Sequence, residues 1–228
     1  MLNIRQINIV GTIHSRGGAA EACKKRNVIN AVEFRADLLP QLVRAHALRK
    51  LPVPVIWTVR SVSEGGKAPE SNSKRAALYD QGEDVASLID IELASVQKLK
   101  GTLKSAQANR CKVILSFHDF QTTPSVARLR KIIRRATDAG ADIVKIATVA
   151  DTLPALLRLV SLLDCSDKTP LSIMGMGRFG KISRLLCAQA GSVLNYGWLD
   201  KPQVSGQWAA EELAARFAEL SIKRAGRH

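Results

Sequence analysis

The chain has 228 residues, 46% of them hydrophobic, with 15 glycines and 8 prolines, which is the balance of a globular protein large enough to bury a sizeable core. No apolar stretch approaches the roughly 18 residues of a membrane span, and the start Met1-Leu2-Asn3-Ile4-Arg5 has no signal-peptide layout, so a cytoplasmic protein without a membrane partner is expected. The formal charge of +14 draws anions of any kind, while Cys23, Cys111, Cys165 and Cys187 are too widely spaced for a zinc site or a disulfide framework, so neither metal nor cofactor is expected.

Apolar runs bounded by turn residues predict strands at Ile7–Ile13, Ala31–Arg35, Val53–Val59, Leu88–Leu93, Lys112–His118, Ile143–Thr148, Leu171–Met176 and Ser192–Tyr196. Helix-like stretches with apolar residues three and four apart follow near Ala19–Arg26, Gln41–Arg49, Ser73–Gln81, Leu93–Ala108, Pro124–Ala139, Thr152–Leu163, Ile182–Ala190 and Ala209–Lys223. This alternation calls for a parallel α/β sheet. Eight units in 228 residues match a single-domain (β/α)8 TIM barrel of eight parallel strands near its minimum length, with an open doubly wound sheet as the alternative. No linker or change of composition divides the chain, so residues 1–228 are read as one domain.

A barrel places its active site at the C-terminal ends of its strands, and polar residues gather there at one parity. Strand two ends Glu33-Phe34-Arg35, strand three Thr58-Val59-Arg60, strand four Asp90-Ile91-Glu92 and strand five Ser116-Phe117-His118, while strand six carries Lys145. Each pair alone could be a surface ion pair worth little. Repeated on five consecutive strands, the pattern builds a polar, anion-binding mouth in which arginines supply planar forks for a carboxylate.

Within Asp142-Ile143-Val144-Lys145-Ile146-Ala147-Thr148 an ammonium interrupts an otherwise buried apolar strand. Desolvation favours the neutral amine, the nucleophile that attacks a ketone to form a Schiff base; the alternative is a lysine whose stem packs and whose head snorkels to water. His118, with an ordinary pKa near 6.5, suits proton shuttling at neutral pH. After strand seven, Gly175-x-Gly177-x-x-Gly180 has the form of a dinucleotide fingerprint, but no acidic residue follows about 20 positions on. It is read instead as a glycine loop opening a helix N-terminus toward an anion, with Arg184 one turn inside.

Taken in order, Val32-Glu33-Phe34-Arg35, Arg60 with Glu64, Ser116-Phe117-His118-Asp119-Phe120 with Thr123-Pro124, Asp142 through Ala147, Met174-Gly175-Met176-Gly177 through Ser183-Arg184, and Gly206-Gln207 resemble the type I 3-dehydroquinate dehydratases, the Schiff-base enzymes of the shikimate pathway. The resemblance covers nearly the whole chain. It implies that Lys145 forms an imine with the ketone of 3-dehydroquinate and that His118 removes the adjacent proton and returns it to the departing hydroxyl. By the same resemblance Arg184 holds the substrate carboxylate, and Glu33, Arg35, Arg60, Gln203 and Gln207 contact the rest of the substrate. Glu64, Glu92, Phe120, Met174 and Met176 support the pocket. The loop after strand eight departs from the family pattern: Gln203-Val204-Ser205-Gly206-Gln207 stands where Ser-Ala-Pro-Gly-Gln is usual, so Gln203 replaces the first serine.

Two other functions compete. A Schiff-base aldolase acting on a sugar or phosphosugar would keep the barrel and Lys145 but cleave a carbon–carbon bond. A basic nucleic-acid-binding protein would use Lys24-Lys25-Arg26, Arg128 through Arg135, and Lys223-Arg224 with Arg227. These runs fall on presumed outer helices and lack stacking aromatics, so no nucleic-acid partner is expected. The oligomeric state is left open, a homodimer among the options.

Overall fold

The computed structural model describes residues 2–40, 46–164 and 169–224. It contains strands β1 (Asn8–Ile13), β2 (Ala31–Arg35), β3 (Val55–Thr58), β4 (Ala86–Glu92), β5 (Lys112–Asp119), β6 (Ile143–Val149), β7 (Leu171–Met176) and β8 (Leu194–Trp198). Each is followed by a helix: α1 (Gly18–Lys24), α2 (His46–Arg49), α3 (Asn72–Asp80), α4 (Lys100–Ala108), α5 (Val126–Asp138), α6 (Leu153–Val160), α7 (Gly180–Gln189) and α8 (Ala210–Glu219). Most of the helix expected over Gln41–Arg49, together with Cys165 and Arg227, lies outside the described residues.

All strand pairs are parallel, in the order β7-β6-β5-β4-β3-β2-β1-β8, which bends into a nearly closed barrel and sets aside the open doubly wound sheet. The seam between β7 and β8 is made largely by serine hydroxyls. Ser172 Oγ donates to the Leu194 carbonyl (2.7 Å) and the Ile173 amide donates to Ser192 Oγ (2.9 Å), while the Gly175 amide turns instead to Ser183 Oγ of α7 (2.8 Å). One backbone bond, Val193 N–H to Leu171 O (2.9 Å), completes it.

Period-two alternation sorts the strand residues into two cores. Outward residues such as Ile9, Phe34, Trp57, Ile91, Leu115 and Ile146 pack under the helices. Inward residues form the barrel interior, with Val10, Ala31, Ile56, Leu88, Ile114, Ile143 and Leu194 at the bottom. Two residues further along each strand the interior changes character, to Thr12, Glu33, Thr58, Asp90, Ser116, Lys145, Met174 and Tyr196. The apolar layer is a floor, and the polar site stands on it.

Helix α5 illustrates the outer layer. Leu129, Ile132, Ile133 and Ala136 face in, Arg128, Arg130, Lys131, Arg134 and Arg135 face solvent, and Ser125 Oγ caps the N-terminus by accepting from Arg128 N. Two expected boundaries move for chemical reasons. The single helix expected over Leu93–Ala108 is a 3-10 turn at Leu93–Ser95 followed by α4, because the Ser95 side chain is engaged by Arg75 and Glu92 at the barrel mouth. Strand β8 begins at Leu194 rather than Ser192, whose hydroxyl is spent on β7.

Candidate active site

The C-terminal ends of the strands enclose a cavity of about 220 Å³, lined by Lys145, His118, Glu33, Arg35, Arg60, Arg184, Gln203 and Gln207, with Glu64, Phe120, Met174 and Met176 on its walls. Of the expected site residues only Glu92 stands back from this lining.

Lys145 rises from the middle of β6 with its amine 3.0 Å from Glu33 Oε1 and 2.9 Å from Asp90 Oδ2, and 4.1 Å from the centre of the Tyr196 ring. At 4% exposure it is buried, which excludes the snorkelling alternative. Asp90 in turn accepts from Arg60 Nη2 (2.8 Å) and from Ser116 Oγ (2.6 Å). Behind it, Glu92 accepts from Arg60 Nη1 (3.0 Å), the Ser61 amide (2.9 Å) and Arg75 Nη2, and Arg75 also donates to the Val59 carbonyl. Three buried cations thus interlock with three buried carboxylates. Burial disfavours the charged carboxylates, yet Arg60 outweighs it, so Asp90 and Glu92 both titrate below the usual carboxylate range. Arg60 lies two residues beyond the end of β3, and its guanidinium is engaged by Asp90, Glu92 and Ser116.

His118, near the end of β5, meets Glu64 Oε2 through Nδ1 (2.8 Å) and through its own backbone N–H (3.0 Å). Glu64 reaches it from a 3-10 turn, Val62–Glu64, that closes on Gly65 at φ 77°. A side chain there would be strained by that dihedral and would also strike the Phe120 ring, 2.6 Å from where its Cβ would fall. Burial, followed by the charges of Arg60 and Lys145, pushes the His118 imidazole well below its usual range. Burial also raises the Glu64 carboxyl to about 8.

Arg35 is clamped by Asp37, Nε to Oδ1 (2.9 Å) and Nη2 to Oδ2 (2.7 Å), and Asp37 also accepts from the Lys67 amide (3.0 Å). Arg184, from α7, donates Nε to the Gly206 carbonyl (3.3 Å), and its Nη1 is buried without a partner among the described residues. Burial lowers its pKa to about 10. The glycine loop before α7 serves close approach as well as turning. A Cβ on Gly180 would lie 2.8 Å from Gly206 Cα, and the Gly177 amide donates to Ser205 O (3.3 Å), so the loop after β8 lies directly against the start of α7. Within that loop Gln207 Oε1 accepts from the Gln203 amide (3.0 Å).

Sequence reading missed Asp37, Arg75 and Tyr196, and placed Asp90 and Ser116 at the mouth without naming them among the site residues. Asp90 carries the same inward parity as Lys145 and could have been chosen on that ground. Arg75 had a weaker signal, an arginine one turn before Tyr79 on the buried side of α3. Nothing local marks Tyr196, because an aromatic in a strand reads as core.

Fold and site together define a (β/α)8-barrel enzyme with a buried lysine and a histidine–carboxylate pair at its mouth. A sequence model of the type I 3-dehydroquinase family matches residues 12–223, and the chain belongs to that family. It is 33% identical over 220 residues to the 3-dehydroquinate dehydratase of Methanothrix thermoacetophila, covering 93% of this chain and 92% of that one. Its identity to the enzyme of the same name from Methanocaldococcus jannaschii is 33% over 206 residues, or 88% and 91% of the two chains. Among solved structures, the type I 3-dehydroquinate dehydratase of Clostridium difficile with covalently modified comenic acid gives a TM-score of 0.84 at 26% identity, over 94% of this chain and 92% of that one. An aldolase structure matches at TM-score 0.61 and 19% identity, a likeness of fold alone. No helix among the described residues is long and apolar enough to cross a membrane.

Proposed function

We propose that this chain eliminates water from 3-dehydroquinate through an imine on Lys145. Family membership supplies the reaction: the chain is a hydro-lyase of the type I class, forming 3-dehydroshikimate on the shikimate route to chorismate and the aromatic amino acids. The observation that carries the imine route is the buried Lys145 amine, opening onto the same cavity as the ring of His118.

In this reading Lys145 gives up a proton to Glu33 while Asp90 stays ionised beside it, and the free amine attacks the C3 ketone. The same proton returns to the carbinolamine hydroxyl, which leaves as water, and the iminium so formed draws electrons from C2 and acidifies its protons. His118 takes one of them on Nε2, electrons flow toward the nitrogen, and the C1 hydroxyl departs as water with the proton returned by His118. A second water then hydrolyses the imine. General acid–base help of this kind is worth about 10²–10⁴ in rate. Arg184 Nη1, buried and unspent, suits the substrate carboxylate. Arg35, Gln203 and Gln207 face the hydroxyls, and Arg60 acts chiefly by holding Asp90 beside the lysine.

Borohydride added with 3-dehydroquinate should fix a stable adduct on Lys145, read by intact mass and peptide mapping, and Lys145→Ala should form none. An adduct on another lysine would overturn the assignment. Phosphate-independent turnover would separate this reading from an aldolase of phosphorylated sugars. Residues 1–228 are read as one domain acting in the cytoplasm without a nucleic-acid partner. A homodimer belongs to the same proposal, supported by exposed Leu153 and Leu157 on α6 beside Ile182 and Leu186 on α7. Sedimentation of the native chain tests it.

A further inference from the structure

Tyr196 has no role in the chemistry described so far, yet it touches the reacting nitrogen. Its ring centre lies 4.1 Å from Lys145 Nζ, it lines the substrate cavity, and it is only 3% exposed. Its place is fixed by the sheet, where it pairs with Val10 across the β1–β8 ladder. Its hydroxyl is buried with no hydrogen-bond partner among the described residues, so the ring is not held there by its polar end.

The resting amine, as an ammonium, has three N–H bonds, and two of them can serve Glu33 and Asp90. Condensation with a ketone replaces two of the nitrogen's hydrogens by the C=N bond and releases water. The protonated imine keeps one N–H, so it can hold only one of the two carboxylates by a hydrogen bond, while its positive charge spreads from nitrogen onto carbon. An aromatic face stabilises a cation without needing any N–H and favours a flat, delocalised one. We propose that Tyr196 is a further catalytic residue of this enzyme, whose ring face carries the positive charge of the Lys145 iminium when the carboxylates can no longer do so alone. The proposal rests on the imine reading above. It adds that the strength of the electron sink at Lys145 is set partly by a π face contributed from β8.

The test begins with Tyr196→Phe, which keeps the face and removes a hydroxyl that has no partner. This variant is the baseline against which each fluorinated ring is compared. Phenylalanines bearing one, two and three ring fluorines are then incorporated at position 196, which weakens the face stepwise with almost no change of shape. Turnover at saturating substrate should fall in step with fluorination, by roughly 2- to 30-fold across the series, the span of cation–π contacts. Borohydride trapping on Lys145 is measured in each variant. Absence of any adduct in the parent, trapped alongside, would sink the imine reading itself. Adduct present with a flat fluorine series would leave the imine standing and overturn the role of Tyr196. A purely packing role predicts that flat series, because fluorination scarcely changes volume.

Discussion

At pH 7 the Glu64 carboxyl and the His118 ring are both held neutral, because burial penalises either charge and the nearby Arg60 and Lys145 further disfavour an imidazolium. Glu64 then donates its proton to Nδ1, which leaves the hydrogen of the imidazole on Nε2, where it cannot act as a base. Loss of the carboxyl proton near pH 8 moves the ring hydrogen to Nδ1 and frees Nε2. The value of kcat/KM should therefore rise with pH and level off above about 8, and Glu64→Gln should abolish that rise; a flat profile in the parent would exclude the pair as the titrating unit. The same groups set stability. His118, Asp90 and Glu92 have folded pKa values below their ordinary ones, so their contribution is present at neutral pH and lost as the pH falls. Glu64 is raised, so its contribution is full in acid and is lost as the pH climbs to about 8. Between about 4.5 and 6.5 the His118 loss and the Glu64 gain offset each other, so a melting series across pH should show the net acid-side loss below about 4.5, where Asp90 and Glu92 join His118. Arg184→Ala should raise KM by roughly 10–150-fold, the value of a charge-assisted hydrogen bond to a buried carboxylate; an unchanged KM would place the carboxylate elsewhere.

Among the elements, the loop from Leu199 to Gln207 was expected to depart from the family pattern at Gln203, and its internal bonding does not call on that side chain. Gln207 uses its carbonyl oxygen to hold the Gln203 backbone amide, so the loop's shape depends on the main chain at 203 rather than on the side chain there. Gln203→Ser should accordingly change activity by less than about tenfold. Gln207→Ala should cost more, since it frees the 203 amide and removes a cavity contact at once; a silent Gln207→Ala beside a severe Gln203→Ser would reverse the two assignments. The strands themselves were legible in the sequence because their apolar runs and inward parity repeat on each of them: β2 and β7 match their expected limits. The stretch after β4 was not, because local periodicity contains no information about Ser95 being held by an arginine from α3, a contact made across 20 positions. Likewise the lysine and histidine stood out by residue type at a strand end, while Tyr196 and Arg75 acquire their meaning only from partners on other strands and helices.

For the whole molecule, the rule that a barrel carries its chemistry at the C-terminal ends of the strands accounts for why β2, β4, β5, β6, β7 and β8 all supply the site and why the charges sit on an apolar floor. The closure of that barrel has a further consequence. A complete ladder distributes strand pairing over many backbone bonds, whereas here Ser172 and Ser192 carry most of the β7–β8 join. Replacing Ser192 with Ala should remove about 1–3 kcal/mol by leaving the Ile173 amide unpaired, measured by denaturant unfolding. In hydrogen exchange the amide of Ile173 should open by local breathing well before those of β5 and β6, in the sub-global range of opening energies. The ring would then behave as a hinged collar with one weak clasp, and that clasp lies between Met174 of β7 and the β8 strand that carries Tyr196 and leads into the Gln207 loop. Substrate entry and product escape would draw on an opening already built into the wall, and a disulfide engineered across it should slow turnover while raising the melting temperature.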